Sequence, residues 1–205
     1  MKVLIINGSP RAAGNTSIAL NEMAKVFAEN GIETETIQIG NKAIRGCSAC
    51  RYCFDHGKCA FDDEVNIVAE KFKECDGLVI GSPVYYASAN GTLISFLDRL
   101  FYSSSFDKTM KVGAAIAIAR RGGTSTTFDE LNKYFTICGM PVASGQYWNS
   151  VHGRLPGEAI EDEEGMQNMR TIAENMSFLI KSIALGKEKY GLPEKEPRKT
   201  TSFIR

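Results

Sequence analysis

Two groups of residues in this chain have the types and spacing that do chemistry. The first is Cys47, Cys50, Cys53 and Cys59, a C-x2-C-x2-C-x5-C run inside one short polar stretch. Four soft thiolates held that closely suit zinc or an iron–sulfur cluster, and the two-residue gaps are of the compact, ferredoxin-like kind. The same residues also suit plain thiols, packing or redox-active, with no metal at all. The second group is Gly8 to Ser17, Gly-Ser-Pro-Arg-Ala-Ala-Gly-Asn-Thr-Ser, between the apolar run Lys2–Asn7 and a helical pattern that begins at Ile18. A strand, a glycine-bearing turn and a helix in succession bring unpaired backbone N–H groups and a positive dipole end to one point. Ser9, Arg11, Asn15, Thr16 and Ser17 add hydroxyl, amide and guanidinium donors there. The combination is a phosphate cradle.

The spacing narrows the phosphate. A P-loop requires G-x-x-x-x-G-K-[ST], but Gly8 and Gly14 stand one residue too far apart and Asn15 replaces the lysine. A dinucleotide fingerprint requires G-x-G-x-x-G, which Pro10 breaks. A single phosphomonoester fits better. Two further loops have the composition of a ligand site: Ser82 to Asn90, and Arg120 to Gly123. In the former, Pro83, Val84, Tyr85 and Tyr86 make a stiff aromatic turn suited to lie along a flat ring while its N–H groups meet ring heteroatoms. A flat ring carrying one phosphate is what flavin mononucleotide offers. The plainer alternatives are a capped strand-to-helix turn for the first loop and a covered core edge for Tyr85 and Tyr86.

The elements that must position these loops follow from periodicity. Lys2–Asn7, Ile32–Ile39, Gly77–Ile80 and Lys111–Ala119 read as strands, and Met140–Ala143 as a short fifth. Helical spacing recurs in Ile18–Asn30, in Val65, Val68, Ala69 and Phe72 behind a cap at Asp62 or Asp63, in Leu93 to Phe101, in Phe128, Leu131 and Phe135, and in Met166 to Ile183. Strands alternating with helices predict an α/β doubly wound sandwich, a five-stranded parallel sheet with helices on both faces. The three loops then meet at the carboxyl ends of the strands, where such sheets bind ligands. Residues 44–63 form a cysteine-rich insertion, 145–164 an irregular loop containing Tyr147 and Trp148, and 186–205 a charged, weakly ordered tail.

The chain of 205 residues is long enough for one domain. Its 24 basic and 24 acidic residues balance, which argues against a nucleic-acid or anionic-membrane partner. With no signal peptide or apolar span of about 18 residues, the expected location is the cytoplasm, where six cysteines rarely form structural disulfides. Cys75 and Cys138 read as packing residues, and His56 and His152 as loop residues. Nothing marks a catalytic acid or base.

The motifs Gly8-Ser9-Pro10-Arg11 with Gly14-Asn15-Thr16-Ser17, and Gly81-Ser82-Pro83-Val84-Tyr85, resemble those of the flavodoxin-like family of FMN-dependent NAD(P)H oxidoreductases. Cys47-x2-Cys50-x2-Cys53 with Gly57-Lys58-Cys59-x2-Asp62-Asp63 resembles its iron–sulfur flavoprotein-like branch, and the resemblance runs from Met1 to about Leu185. It implies that Ser9, Arg11, Asn15, Thr16 and Ser17 hold the FMN phosphate. Pro83, Val84, Tyr85, Tyr86 and Ser88 would follow the isoalloxazine ring, Asn90 its ribityl or ring edge, and Arg120, Gly122 and Gly123 its border. It further implies hydride transfer from NADH or NADPH to the flavin, onward delivery to a flavin, quinone, nitro or azo compound or protein acceptor, and assembly as a homodimer or homotetramer. Relatives of this kind carry such cysteines with or without a cluster; the alternative within redox chemistry is an iron–sulfur flavoprotein whose cysteines hold a four-iron, four-sulfur cluster and whose main task is electron transfer. A non-redox phosphomonoester-binding or regulatory protein is the alternative from outside redox chemistry.

Overall fold

Lys2–Asn7 (β1) is buried from Val3 onward, and its alternating side chains feed two separate cores. Val3 and Ile5 enter one, Leu4 and Ile6 the other, as in a parallel strand covered on both faces. The computed structural model describes residues 1–197, 199–201 and 203. In it β1 lies within a sheet of order β2-β1-β3-β5-β6, where β2 is Glu33–Gln38, β3 Gly77–Tyr85, β5 Val112–Ala119 and β6 Ser150–His152. These pairings are all parallel, and β4 (Ser88–Ala89) folds back antiparallel on the end of β3. Helices α1 (Asn15–Glu29) and α6 (Glu163–Tyr190) cover one face; α3 (Glu64–Lys73), α4 (Gly91–Ser103) and α5 (Thr124–Thr136) cover the other. The parallel strands thus follow the flavodoxin-like order, whose switch point lies between β1 and β3.

Local sequence explains where the helices start. The Asp63 carboxylate accepts from the Val65 N–H at 3.1 Å, an N-cap for α3. Asn90 does the same for α4, accepting from Thr92 and Leu93 at 2.8 and 3.3 Å. Helix α1 starts at Asn15, three residues before the apolar pattern begins.

The expected fifth strand is the main correction. Residues 140–143 make only an isolated bridge, Val142 to Gly113, at the amino end of β5. Pro141 has no N–H to donate to a ladder; its carbonyl accepts from Gly113 and the Ala143 N–H returns to Gly113, each at 2.8 Å. The chain then leaves the sheet and rejoins it as β6, against Ala117–Ala119. Asn168 on α6 holds the excursion, accepting from the Gln146 N–H and donating to the Trp148 carbonyl. The sheet keeps five parallel strands, but its edge strand is split in two. Two other elements run longer than the sequence pattern: β3 continues to Tyr85 as a hairpin arm, and α6 reaches Tyr190. Residues 198, 202, 204 and 205 of the expected tail lie outside the described residues. Among the described residues no helix is long and apolar enough to cross a membrane.

Candidate functional site

The turn after β1 is packed tightly enough to have one shape. A Cβ on Gly8 would lie 2.5 Å from Leu93 Cδ2 and 3.0 Å from the Gly81 carbonyl, the carbonyl to which the Gly8 N–H donates at 2.8 Å. The first and second loops are therefore in direct contact at the switch point. Within the turn, the Ser9 N–H donates to Asn7 Oδ1 at 2.9 Å and the Arg11 N–H to Ser9 Oγ at 3.1 Å. Helix α1 begins behind Gly14, which brings no side chain to cap it. The first-turn N–H groups are left for a ligand, at the positive end of the dipole.

Three loops and one later segment converge on a concavity of about 190 Å³. Ser9, Arg11, Asn15 and Thr16 come from the first loop, Pro83, Val84 and Tyr85 from the second, and Arg120 from the third. Gly153 and Arg154, just past β6, complete the wall. A larger hollow of about 610 Å³ lies by Asp76 and Lys111, at the opposite, amino ends of β3 and β5, away from all three loops.

The other expected residues sit outside this lining. Ser17 Oγ accepts from Asn7 and donates to the Ala12 carbonyl, inside the turn's own frame. Asn90 is committed to capping α4. Gly122 has open space around its Cα, while Gly123, at φ 88°, backs onto the hairpin: a Cβ there would meet Ala87 Cα and Val84 Cγ1, both at 2.9 Å. Tyr86 stands fully exposed at the hairpin tip. Ser88 turns toward α5 and donates to the Glu130 carboxylate.

Glu130 and Gly153–Arg154 escaped the sequence reading. Tyr86 and Ala87 both have positive φ, 51° and 60°, the hairpin geometry that Asn-Gly usually fills. The Glu130 carboxylate holds that turn, accepting from Ser88 Oγ at 3.0 and 2.9 Å and from the Ala89 N–H at 2.8 Å. Thr126 Oγ1 donates to the Ala87 carbonyl at 2.8 Å. Asn15 has a comparable task in the first loop. Its Oδ1 accepts from Gly157 and Ala159 N–H at 3.0 and 3.2 Å, and its Nδ2 donates to the Leu155 carbonyl at 3.0 Å. It thereby fixes the segment that carries Arg154.

The four loop cysteines also come together. Cys47, Cys50, Cys53 and Cys59 line one cavity with Phe61, Arg99 and Tyr102. A short helix, Tyr52–His56 (α2), spans the middle of the loop. Ala49 and Arg51, on either side of Cys50, adopt left-handed φ values of 53° and 61°, a cost of roughly 1–2 kcal/mol each for residues with a Cβ. The Tyr52 N–H bonds to Cys50 and holds its thiol below the ordinary range. Burial is the main effect on Cys53, whose thiol is pushed up. The amide of Asn66 grips the Cys59 backbone in both directions, at 2.9 and 3.0 Å.

Arg99 was the larger omission. It is 1% exposed, and its fork meets Asp63 twice, at 2.7 and 2.9 Å. Its signal was a charged residue three positions after Phe96, on the apolar stripe of α4. Elsewhere the cysteine expectations agree with the structure for Cys75, which is buried, with its thiol pushed up to about 11 by that burial. Cys138 is half-buried, its thiol also raised by burial. His56 stacks on Tyr52 at 3.9 Å, and His152 Nδ1 lies 3.2 Å from Asp162; neither lines the cleft.

Residues 1–154 match the family model described as NADPH-dependent FMN reductase. An iron–sulfur flavoprotein of Methanocaldococcus jannaschii is 35% identical over 89% of this chain and 99% of its own length. Another, from Methanosarcina thermophila, is 31% identical over 92% of this chain and 100% of its own. The chain belongs to the NADPH-dependent FMN reductase family. Within it, the chain is related to the iron–sulfur flavoprotein branch. A solved structure of RosB with bound 8-demethyl-8-formylriboflavin-5′-phosphate shares the fold, with a TM-score of 0.69 at 18% identity over all of this chain and 94% of that one. As a member of this FMN reductase family the protein is an FMN- and NAD(P)H-dependent oxidoreductase, which decides for the redox reading over simple phosphomonoester binding.

Proposed function

We propose that this protein is an iron–sulfur flavoprotein: it takes hydride from NADH or NADPH through FMN in the strand-end cleft and passes electrons on through a four-iron, four-sulfur cluster held by Cys47, Cys50, Cys53 and Cys59. When bound, FMN supplies the exchange between hydride pairs and single electrons. The chain's part is to hold and orient. The uncapped first turn of α1, Ser9, Thr16 and Arg11 suit the phosphate, and the hairpin Pro83–Tyr85 suits the ring, with Arg120 at its border. Ser17, Ser88, Asn90 and Gly123 support that site by shaping its loops, while Tyr86 and Gly122 stand open at its edge.

The observation that carries the electron-transfer reading is the convergence of all four loop cysteines on one cavity. Thiols spaced around a common cavity suit a cluster, where each cysteine binds a different iron. The two curated relatives described above carry the iron–sulfur name, which supports the same reading. Exposed Tyr147 and Trp148, on the excursion of the split edge strand, offer an apolar wall for a homodimer or homotetramer. A cytoplasmic setting suits six free cysteines. The acceptor, small molecule or protein, would dock where the cluster or the flavin is reached.

The test is the visible spectrum of anaerobically purified protein, with iron, acid-labile sulfide and FMN measured on the same sample. About four irons and one FMN per chain are expected, with broad absorption beneath the flavin bands. One FMN with no iron or sulfide, even after anaerobic reconstitution, would leave a small-molecule reductase whose loop cysteines are thiols.

A further inference from the structure

Among the buried charged groups of this molecule, Arg99 is the one whose contacts point at the electron path. All five of its N–H donors are engaged. Nε and Nη2 reach Cys59 Sγ at 3.3 and 3.2 Å, Nη1 and Nη2 hold Asp63, and Nη1 also reaches the Arg45 carbonyl at 3.3 Å. Its guanidinium also lies 5.0 Å from the Phe61 ring centroid, with Arg45 at 4.3 Å from the same ring. An ion pair that only anchored the loop would need the Asp63 fork alone. Two charged N–H groups directed at one sulfur stabilise negative charge that spreads onto it when the site takes up an electron. Burial works against the Arg99 charge, but hydrogen bonds to Asp63 and Cys59 outweigh it, and its pKa lies above the ordinary arginine value.

We infer that Arg99 is the positioning residue that sets the reduction potential at the cysteine cavity: its guanidinium raises the potential through Cys59, and Asp63 moderates it. The inference rests on the cluster reading proposed above. One electron passing from reduced flavin to a cluster here adds one unit of negative charge to the four-thiolate site, with no bond made or broken. A fixed cation against Cys59 favours that added charge, and an anion opposes it. The carboxylate of Asp63 is 28% exposed, so water screens the anion more than the cation. The cation therefore has the larger effect.

The experiment is an EPR-monitored potentiometric titration of anaerobically reconstituted holoprotein, with iron counted in every sample. Arg99→Gln is expected to disfavour reduction at least tenfold, a downward shift of about 59 mV for one electron. Asp63→Asn, which keeps an N-capping side chain for α3, is expected to shift the potential upward by a smaller amount. Arg99→Lys, with the charge but not the planar fork, should fall between wild type and Arg99→Gln. Shifts of opposite sign in the Gln and Asn variants are what a purely structural ion pair would not produce. A four-iron wild type with both variants unmoved, or both moved the same way, would overturn the role of Arg99 alone. A wild type that takes up no iron would overturn the cluster reading and this inference with it. Should Arg99→Gln fail to hold a cluster, Asp63→Asn decides: an upward shift supports the inference and an unmoved potential overturns it.

Discussion

The strand-end cleft and the cysteine cavity meet the same physical problem and answer it with opposite charges. Each contains two residues with a Cβ in left-handed conformation: Tyr86 and Ala87 in the hairpin, Ala49 and Arg51 in the cysteine loop. Each is steadied by one ionisable side chain from a neighbouring helix. At the hairpin it is the Glu130 carboxylate on α5, accepting from neutral N–H and O–H donors. At the cysteines it is the Arg99 guanidinium on α4, donating to a carboxylate and a sulfur. The sign follows what each loop must present. An anion behind the hairpin takes up the turn's donors, and a cation beside Cys59 directs charged N–H groups at its sulfur. Strain of this kind persists only where surrounding contacts over-determine it. The two sites are also separated along the fold: Asn90, which caps α4 next to the second loop, and Arg99 are about 13 Å apart along the helix axis.

If the two regions are independent, a change in one should leave the other intact. The largest effect expected is from Cys50→Ser, which removes one of four thiolates and should bring iron close to zero while FMN stays near one per chain. Loss of both cofactors would show that the regions fold as one unit. In the opposite direction, Asn15→Ala frees the segment around Arg154 and should weaken FMN binding by about 1–3 kcal/mol, roughly five- to 150-fold, with iron unchanged. Fluorescence titration of the apoprotein with FMN measures it; an unchanged affinity would remove the segment around Arg154 from the FMN site.

Glu130→Gln is a gentler probe of the hairpin. A glutamine oxygen in the Oε2 position keeps both donors, Ser88 Oγ and the Ala89 N–H, and the charge is lost, so FMN affinity should fall by about 1 kcal/mol, again without loss of iron. An unchanged affinity would mean that Thr126 and Gly123 hold the turn by themselves.

Cys75 is the control thiol, buried outside both regions. Its folded value lies near 11, above the ordinary thiol value of 9.0, because burial disfavours the thiolate. Below pH 9 the native and unfolded states are both protonated and Cys75 has no pH effect. Between about 9 and 11 the unfolded chain ionises and the native one does not, so stability falls as pH rises, by roughly 2–3 kcal/mol in total. Denaturant midpoints across that window should fall less steeply in Cys75→Ala. Equal slopes would show that the thiol is not desolvated.

Much of the cleft was legible because its residues are contiguous. Ser9 to Thr16 and Pro83 to Tyr85 are short runs whose backbone turns are dictated by glycine, proline and small polar residues. The four cysteines were legible for the same reason. Met140–Ala143 misled because a short apolar run with proline looks like a strand from its composition, while pairing depends on which partner edge is free. Beta-five offers two separate lengths of edge, and the chain takes both, with Asn168 holding the excursion between them.

The alternating apolar strands, the phosphate turn and the thiol spacing are properties of neighbours in the chain, and the sequence by itself determined them. Tertiary structure decided the rest. Arg99 meets Asp63 across 36 residues and Cys59 across 40, and Glu130 meets Ala89 across 41. Asn15 reaches Gly157 across 142. No local pattern encodes such pairs. They form because hydrophobic burial brings the helices onto the sheet first in energy, and a polar side chain carried inside must then find its partner there.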